Sequence, residues 1–252
     1  MKTSKQIEEK IRKRTDGEVF SLEDILPKKH SKAQYFRTIK TLSKLQQERR
    51  VSRIRKGLYF KPCKVQFTDD LWMFDASRQE IAEYYQKKFK HKIYVTGTPL
   101  FNSMKLTEQV PATSVFAVEN PPKDFKEDKL FFVKSKCPIT EENKKYLQIL
   151  DCIENIKHVP AKTSGEVADS LMQLHISHLS NKELLELVRY SKFYIPRTRA
   201  ILAAMFATTG KKTLAEHLKQ SYAPDTRFKI YFENSIVLEN KEYYGIYNTY
   251  TK

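Results

Sequence analysis

No apolar run in this chain approaches the roughly 20 residues that a membrane-spanning helix needs. Met1 to Arg14 lacks the apolar stretch of a secretory signal, so a cytoplasmic protein that touches no membrane is expected. Cysteine is scarce. Cys63, Cys137 and Cys152 lie far apart, with no CxxC pair and no Cys/His cluster, which argues against a zinc site and fits reduced thiols. No repeat of 20–50 residues is visible. Phosphate loops of the GxxxxGKS/T or GxGxxG kind, an HExxH helix and a GxSxG elbow are all missing. The six histidines are scattered; only His175 and His178 sit three apart, a pair that reads as helix-end decoration. These absences leave no catalytic residue, metal or cofactor to name, and a protein that is not an enzyme is expected.

What the chain has is positive charge, unevenly spread. Residues 1–62 hold 18 Lys and Arg against 7 Asp and Glu, a net of +11 out of +16 for all 252 residues. Such asymmetry points to a polyanionic partner for the first quarter of the chain. The 40% hydrophobic content, with 15 Phe and 14 Tyr, is enough to build real cores.

The basic segment has a pattern. Ser31 and Gln34 form a capping box, and Tyr35, Ile39, Leu42 and, less cleanly, Phe36 and Leu45 recur at helical spacing. Lys32, Gln34, Arg37, Lys40, Thr41 and Lys44 fill the other side. Beyond Arg49-Arg50, Arg53 and Arg55 alternate with Ile54, Lys56-Gly57 makes a turn, and Leu58-Tyr59-Phe60 returns as a second strand ended by Pro62. Upstream, Thr3 and Gln6 start a helix with Ile7 and Ile11 on one stripe, Gly17 to Phe20 makes a turn and short strand, and Ser21 to Leu26 a short helix stopped by Pro27. Helix, short strand, helix, helix and two-stranded basic hairpin is the order of a winged helix-turn-helix. The expected contacts to duplex DNA are base edges and nearby phosphates from Ser31, Lys32, Gln34, Tyr35 and Arg37, phosphates from Lys40 and Lys44, and backbone or minor groove from Arg53, Arg55 and Lys56.

Residues 63–252 read as a larger mixed α/β domain, helical from about residue 140. Cys63 to Asp75 reads as a connector, with room for a short strand, and Trp72 as an anchor. A helix from Ser77 precedes the strand Lys92–Thr96, a short helix with Pro99 at its first position, and the strands Val115–Glu119 and Leu130–Lys134. Helices follow over Thr140–Ile156, from Thr163 with Val167, Leu171 and Leu174 buried, from Ser180 with Leu184, Leu185, Leu187 and Val188 buried, over Pro196–Ala207 and over Lys212–Tyr222. Residues 228–247 hold three β-prone runs, readable as a docked hairpin or a partner-binding arm. The fold class is therefore α/β (α+β), divided at residues 1–62 and 63–252.

Two other readings compete. Glu127-Asp128-Lys129, with Asp124 or Glu119, matches the Glu-x-Lys of metal-dependent nucleases, a pattern common by chance in a chain with 30% charged residues. A head that binds RNA would use exposed aromatics; Phe60 reads as core and Tyr35 is open on this point.

Two patches carry a family resemblance: Leu42-Ser43-Lys44-Leu45 with the basic hairpin ending Gly57-Leu58-Tyr59, and Leu106 to Thr113 leading into Val115-Phe116. In this order the chain resembles the AbiEi-type antitoxins, transcriptional regulators of type IV toxin–antitoxin operons in phage defence. Family wings often carry Gly just before the first strand, where Arg49-Arg50 stand here. The resemblance implies a winged helix that binds operator repeats and represses its own operon. It also implies a C-terminal domain that counters a nucleotidyltransferase-like toxin without necessarily binding it.

Overall fold

The computed structural model describes residues 2–67, 70–74, 78–90, 92–121, 129–230, 232, 235 and 241–247. The chain has mixed α/β architecture and forms two compact units, Met1–Lys90 and His91–Lys252. The division drawn from charge after residue 62 falls inside the first unit.

In that unit the order is α1 (Lys2–Arg12), β1 (Val19–Ser21), α2 (Leu22–Ile25), α3 (Lys32–Gln47), β2 (Ser52–Arg55) and β3 (Leu58–Phe60). The three strands form one antiparallel sheet in the order β1-β3-β2, with Val19 opposite Phe60 and Arg53 opposite Tyr59. Arg55, not Ile54, faces Leu58, so Ile54 is the extra residue of a bulge. Where a connector was expected, β4 (Cys63–Phe67) and β5 (Asp70–Phe74) pair as a second antiparallel ladder, with Cys63 opposite Phe74. The two runs CKVQF and DLWMF are both rich in strand formers. The expected anchoring by the Trp72 side chain lies outside what is described. The helix α4 (Arg78–Lys88) closes the unit. Its core joins Ile7 and Ile11 of α1 to Phe20, Ile25, Leu42, Leu45, Val51 and Tyr59.

The inward face of α3 is rotated from the one read in the sequence. Thr38, Thr41, Leu42 and Leu45 are buried, Tyr35 and Ile39 are half-buried, and Phe36 points outward, 66% exposed. The threonines enter the core because their hydroxyls are satisfied locally. Thr38 and Thr41 donate to the carbonyls of Gln34 and Arg37, each at 2.9 Å, and Thr41 Oγ1 also lies 2.9 Å from Ser4 Oγ on α1. An apolar pattern counts such threonines as polar and so places the face about a quarter-turn away.

The second unit opens with β6 (Ile93–Val95), α5 (Gly97–Ser103), β7 (Ser114–Val118) and β8 (Leu130–Lys134). The sheet order is β6-β7-β8, antiparallel between the first two and parallel between the last two. The helix α5 starts two residues before Pro99, with Thr96 at its N-cap. The helical half follows: α6 (Lys144–Glu154), α7 (Ser164–Leu171), α8 (Asn181–Ser191), α9 (Pro196–Thr208) and α10 (Lys212–Lys219). The capping boxes Thr163/Glu166 and Ser180/Glu183 are both formed. Two expected core leucines are not in the core. Leu185 is exposed, and so is Leu174, because α7 runs on into a π turn over Met172–Ile176. One added residue per turn advances the phase of the helix, so Met172 and Ile176 turn inward instead. At the tail, β9 (Phe228–Lys229) and β10 (Ile246–Tyr247) pair in parallel, which a simple hairpin cannot do. Ile230, Phe232, Tyr244 and Ile246 are buried in the main core with α9, whose apolar side chains are buried all round.

Candidate nucleic-acid interface

The geometry of α3 is fixed at both ends. Ser31 Oγ accepts from the Gln34 backbone N–H at 3.2 Å, and Gln34 Oε1 accepts from the Ser31 N–H at 2.8 Å. Both side chains that were candidates for base contacts are thus engaged in capping. At the other end the Arg49 N–H donates to the Gln46 carbonyl and the Arg50 N–H to the Leu45 carbonyl. That pair of bonds is a Schellman motif, and Arg49 takes its left-handed position with φ 54°. A glycine normally stands there, since a side chain in this conformation costs about 1–2 kcal/mol. Arg49 therefore keeps a glycine-type backbone and adds a charge.

Lys32, Arg37, Lys40 and Lys44 are all exposed along α3. Lys44 lies 3.6 Å from Glu48, an exposed ion pair of little energetic worth that leaves the lysine available. Tyr35 is half-buried, stacked on His30 with ring centroids 6.3 Å apart and edge-on to Phe36 at 5.7 Å. On the hairpin, Arg53 and Lys56 are exposed, with Gly57 at φ 81° making the tip. Arg55 differs. It is half-buried, and its Nη2 donates to the Tyr85 hydroxyl of α4 at 2.6 Å. Burial raises the pKa of that phenol, against the pull of the neighbouring guanidinium, so Tyr85 is a neutral partner. The two hairpin arginines, treated alike in the sequence, have separate surroundings.

Six of the ten expected residues gather in two places, and Ser31, Lys32, Gln34 and Arg53 line neither. Tyr35, Arg55 and Lys56 line one groove of about 830 Å³, shared with Lys28, His30, Tyr84 and Lys88. Arg37, Lys40 and Lys44 line another of about 570 Å³, beside Ser4 of α1. Exposed Lys28 and Lys29, in the turn before α3, were not singled out from the sequence. The signal was available: between Asp24 and Asp69 the only acid is Glu48, among 13 Lys and Arg. Six acids of this unit, Asp16, Glu18, Glu23, Asp24, Glu80 and Glu83, line a further cavity together with Arg14, Lys87 and Lys88, and Glu23 and Lys88 also line the groove of Tyr35 and Arg55.

The alternatives gain little geometry. Asp124, Glu127 and Asp128 of the nuclease pattern lie outside the described residues. Phe60 is core. His175 Nε2 is 2.9 Å from the Met104 carbonyl, and among the described residues no group of three or more His, Cys, Asp or Glu is arranged to hold a metal.

Two units of mixed α/β structure, the first with a capped basic helix beside a basic hairpin, define the class of this protein. The chain belongs to a family of unknown function, DUF6088, which residues 6–170 match. No curated protein matches it.

Proposed function

We propose that the first unit is a winged helix-turn-helix that binds duplex DNA, with α3 in the major groove and the β2–β3 hairpin as the wing. The observation that carries this reading is the outward face of α3, where Lys32, Arg37, Lys40 and Lys44 stand exposed next to a hairpin bearing Arg53 and Lys56. Each is free to reach a phosphate; Arg55 is a strut of the wing and not one of its grips. The protein acts as a cytoplasmic transcriptional regulator, without catalytic activity of its own. By its resemblance to the AbiEi-type antitoxins it represses its own operon and counters a nucleotidyltransferase-like toxin. Among the described residues no helix is long and apolar enough to cross a membrane.

The test is a gel-shift titration on DNA from upstream of the protein's own gene, with unrelated DNA as competitor, at two salt concentrations. Binding that survives competitor is expected. Lys40→Ala or Arg53→Ala should weaken it on all sequences alike and lower the salt slope by about one per residue. Equal, salt-sensitive binding to both DNAs would reduce the protein to a generic polyanion binder. Absence of binding at either salt would refute the reading.

A further inference from the structure

Lys32, Phe36, Lys40, Ser43 and Gln47 are all exposed on α3. Successive members stand three or four positions apart, so they form one line along the helix surface, directly away from the buried Thr38-Thr41-Leu42-Leu45 stripe. In the midst of these polar side chains is one phenyl ring. Phe36 is 66% exposed, with a lysine one turn to either side. Its ring is supported rather than covered: Tyr35 meets it edge-on with the planes 83° apart, and Tyr35 is itself stacked on His30.

A phenyl ring can neither accept nor donate a conventional hydrogen bond, and it has no attraction for a phosphate. The major groove offers it a partner of matching chemistry in the 5-methyl group of thymine. The groove is about 12 Å wide and a helix with its side chains spans about 10–12 Å, so the centre of the outward line meets base edges while residues a turn away meet phosphates. We infer that Phe36 is a specificity-determining residue, packing against the methyl of a thymine while Lys32 and Lys40 hold the flanking phosphates. This rests on the reading of α3 as the groove-binding helix. A single-stranded nucleic acid would use the same ring for stacking, which tolerates any base.

The test takes the full chain, recovers its preferred duplex from a random-sequence library, and replaces the thymines one at a time by deoxyuridine. That exchange removes the methyl and keeps every hydrogen-bonding group. The wild type should lose about fourfold in affinity at one or two positions, the worth of one buried methyl. Phe36→Ala should bind the parent duplex more weakly and no longer distinguish thymine from uracil, while Phe36→Leu keeps part of the preference. Lys40→Ala should weaken binding to both duplexes and leave their ratio unchanged. Circular dichroism melts verify that the variants, altered on an exposed helix face, remain folded. If the wild type binds every deoxyuridine duplex as tightly as the parent while Lys40→Ala still binds weakly, Phe36 is no thymine reader and the DNA reading stands. If no duplex is enriched, and Phe36→Ala loses affinity for uracil-rich and thymine-rich single strands alike, both fall.

Discussion

Arg49 holds a backbone conformation that suits glycine, at the point where α3 turns into the hairpin. Replacing it by glycine should relieve that strain and stabilise the first unit by about 0.5–1 kcal/mol, visible as a rise of a few degrees in its thermal midpoint. A fall in the midpoint would mean that the Arg49 side chain stabilises the fold more than its backbone strains it. The hairpin arginines make a second contrast. Arg55→Ala removes a charged donor from the Tyr85 hydroxyl and should cost about 1.5–3 kcal/mol, with Tyr85→Phe and the double variant showing the two effects to be coupled. Arg53→Ala should leave stability within about 0.5 kcal/mol. Urea melts of the four variants decide this, and equal costs for the two arginines would refute the distinction. Such differences were not legible in the sequence. Arg53 and Arg55 sit two apart on one strand pattern, and only the bulge at Ile54 and the position of α4 give them different neighbours. Candidate residues on α3 were legible because helical spacing and charge repeat locally, whereas partners 30 residues away do not announce themselves.

At the scale of elements, the capping boxes at Ser31, Thr163 and Ser180 were the most readable features, since a Ser or Thr three residues before a Gln or Glu can specify its own hydrogen bonds; Thr3, read in the same way, lies inside α1, which begins at Lys2. The misreadings share a cause. Threonines that bond to their own helix backbone can line a core, and a π turn shifts the phase of everything after it, so periodicity alone misplaced Phe36 and Leu174. The tail reads in the sequence either as a docked hairpin or as a partner-binding arm; its buried residues Ile230, Phe232, Tyr244 and Ile246 lie in the core of the second unit, with a parallel pairing in place of a hairpin. Ending the chain after Arg227 removes four buried side chains, Ile230, Phe232, Tyr244 and Ile246, worth on the order of 6–12 kcal/mol together. That is comparable to the stability of a whole domain, so the shortened second unit should be protease-sensitive at temperatures where the full chain resists. Asp151 ties other elements together. Its carboxylate accepts from Thr96 Oγ1 after β6 and from the Tyr194 hydroxyl before α9, both at 2.6 Å. Burial holds its pKa above the ordinary carboxylate range, against the hydrogen bonds that favour the charged form. The folded state therefore keeps this proton to higher pH than the unfolded chain does. From the unfolded value near 3.9 up to the raised folded value, stability contributed by this group falls as pH rises. Asp151→Asn should lack that decline, so urea melts between pH 4 and 7 should shift in the variant's favour as pH increases. A constant difference would show that Asp151 does not titrate in this range.

The whole molecule separates its charge by position. Most of the net positive charge lies in the first 62 residues, and within the first unit the groove of Arg37, Lys40 and Lys44 holds no acid, whereas the cavity lined by six acids also holds Arg14, Lys87 and Lys88. On the proposed reading, the groove without acids would draw an approaching duplex before any contact forms. Charge drew the functional boundary at residue 62, but compactness draws the folding boundary at Lys90. The bond from Arg55 to Tyr85 is one reason for the difference, and the ion pair of Lys88 with Glu23 at 3.3 Å is another. Anyone cutting the gene to isolate the basic head would be led by the sequence to stop at Pro62, leaving a guanidinium without its phenol and the hairpin without its backing. A fragment of residues 1–62 should melt at a lower temperature than one of residues 1–90, and the longer piece is the one to carry into crystallisation or nuclear magnetic resonance.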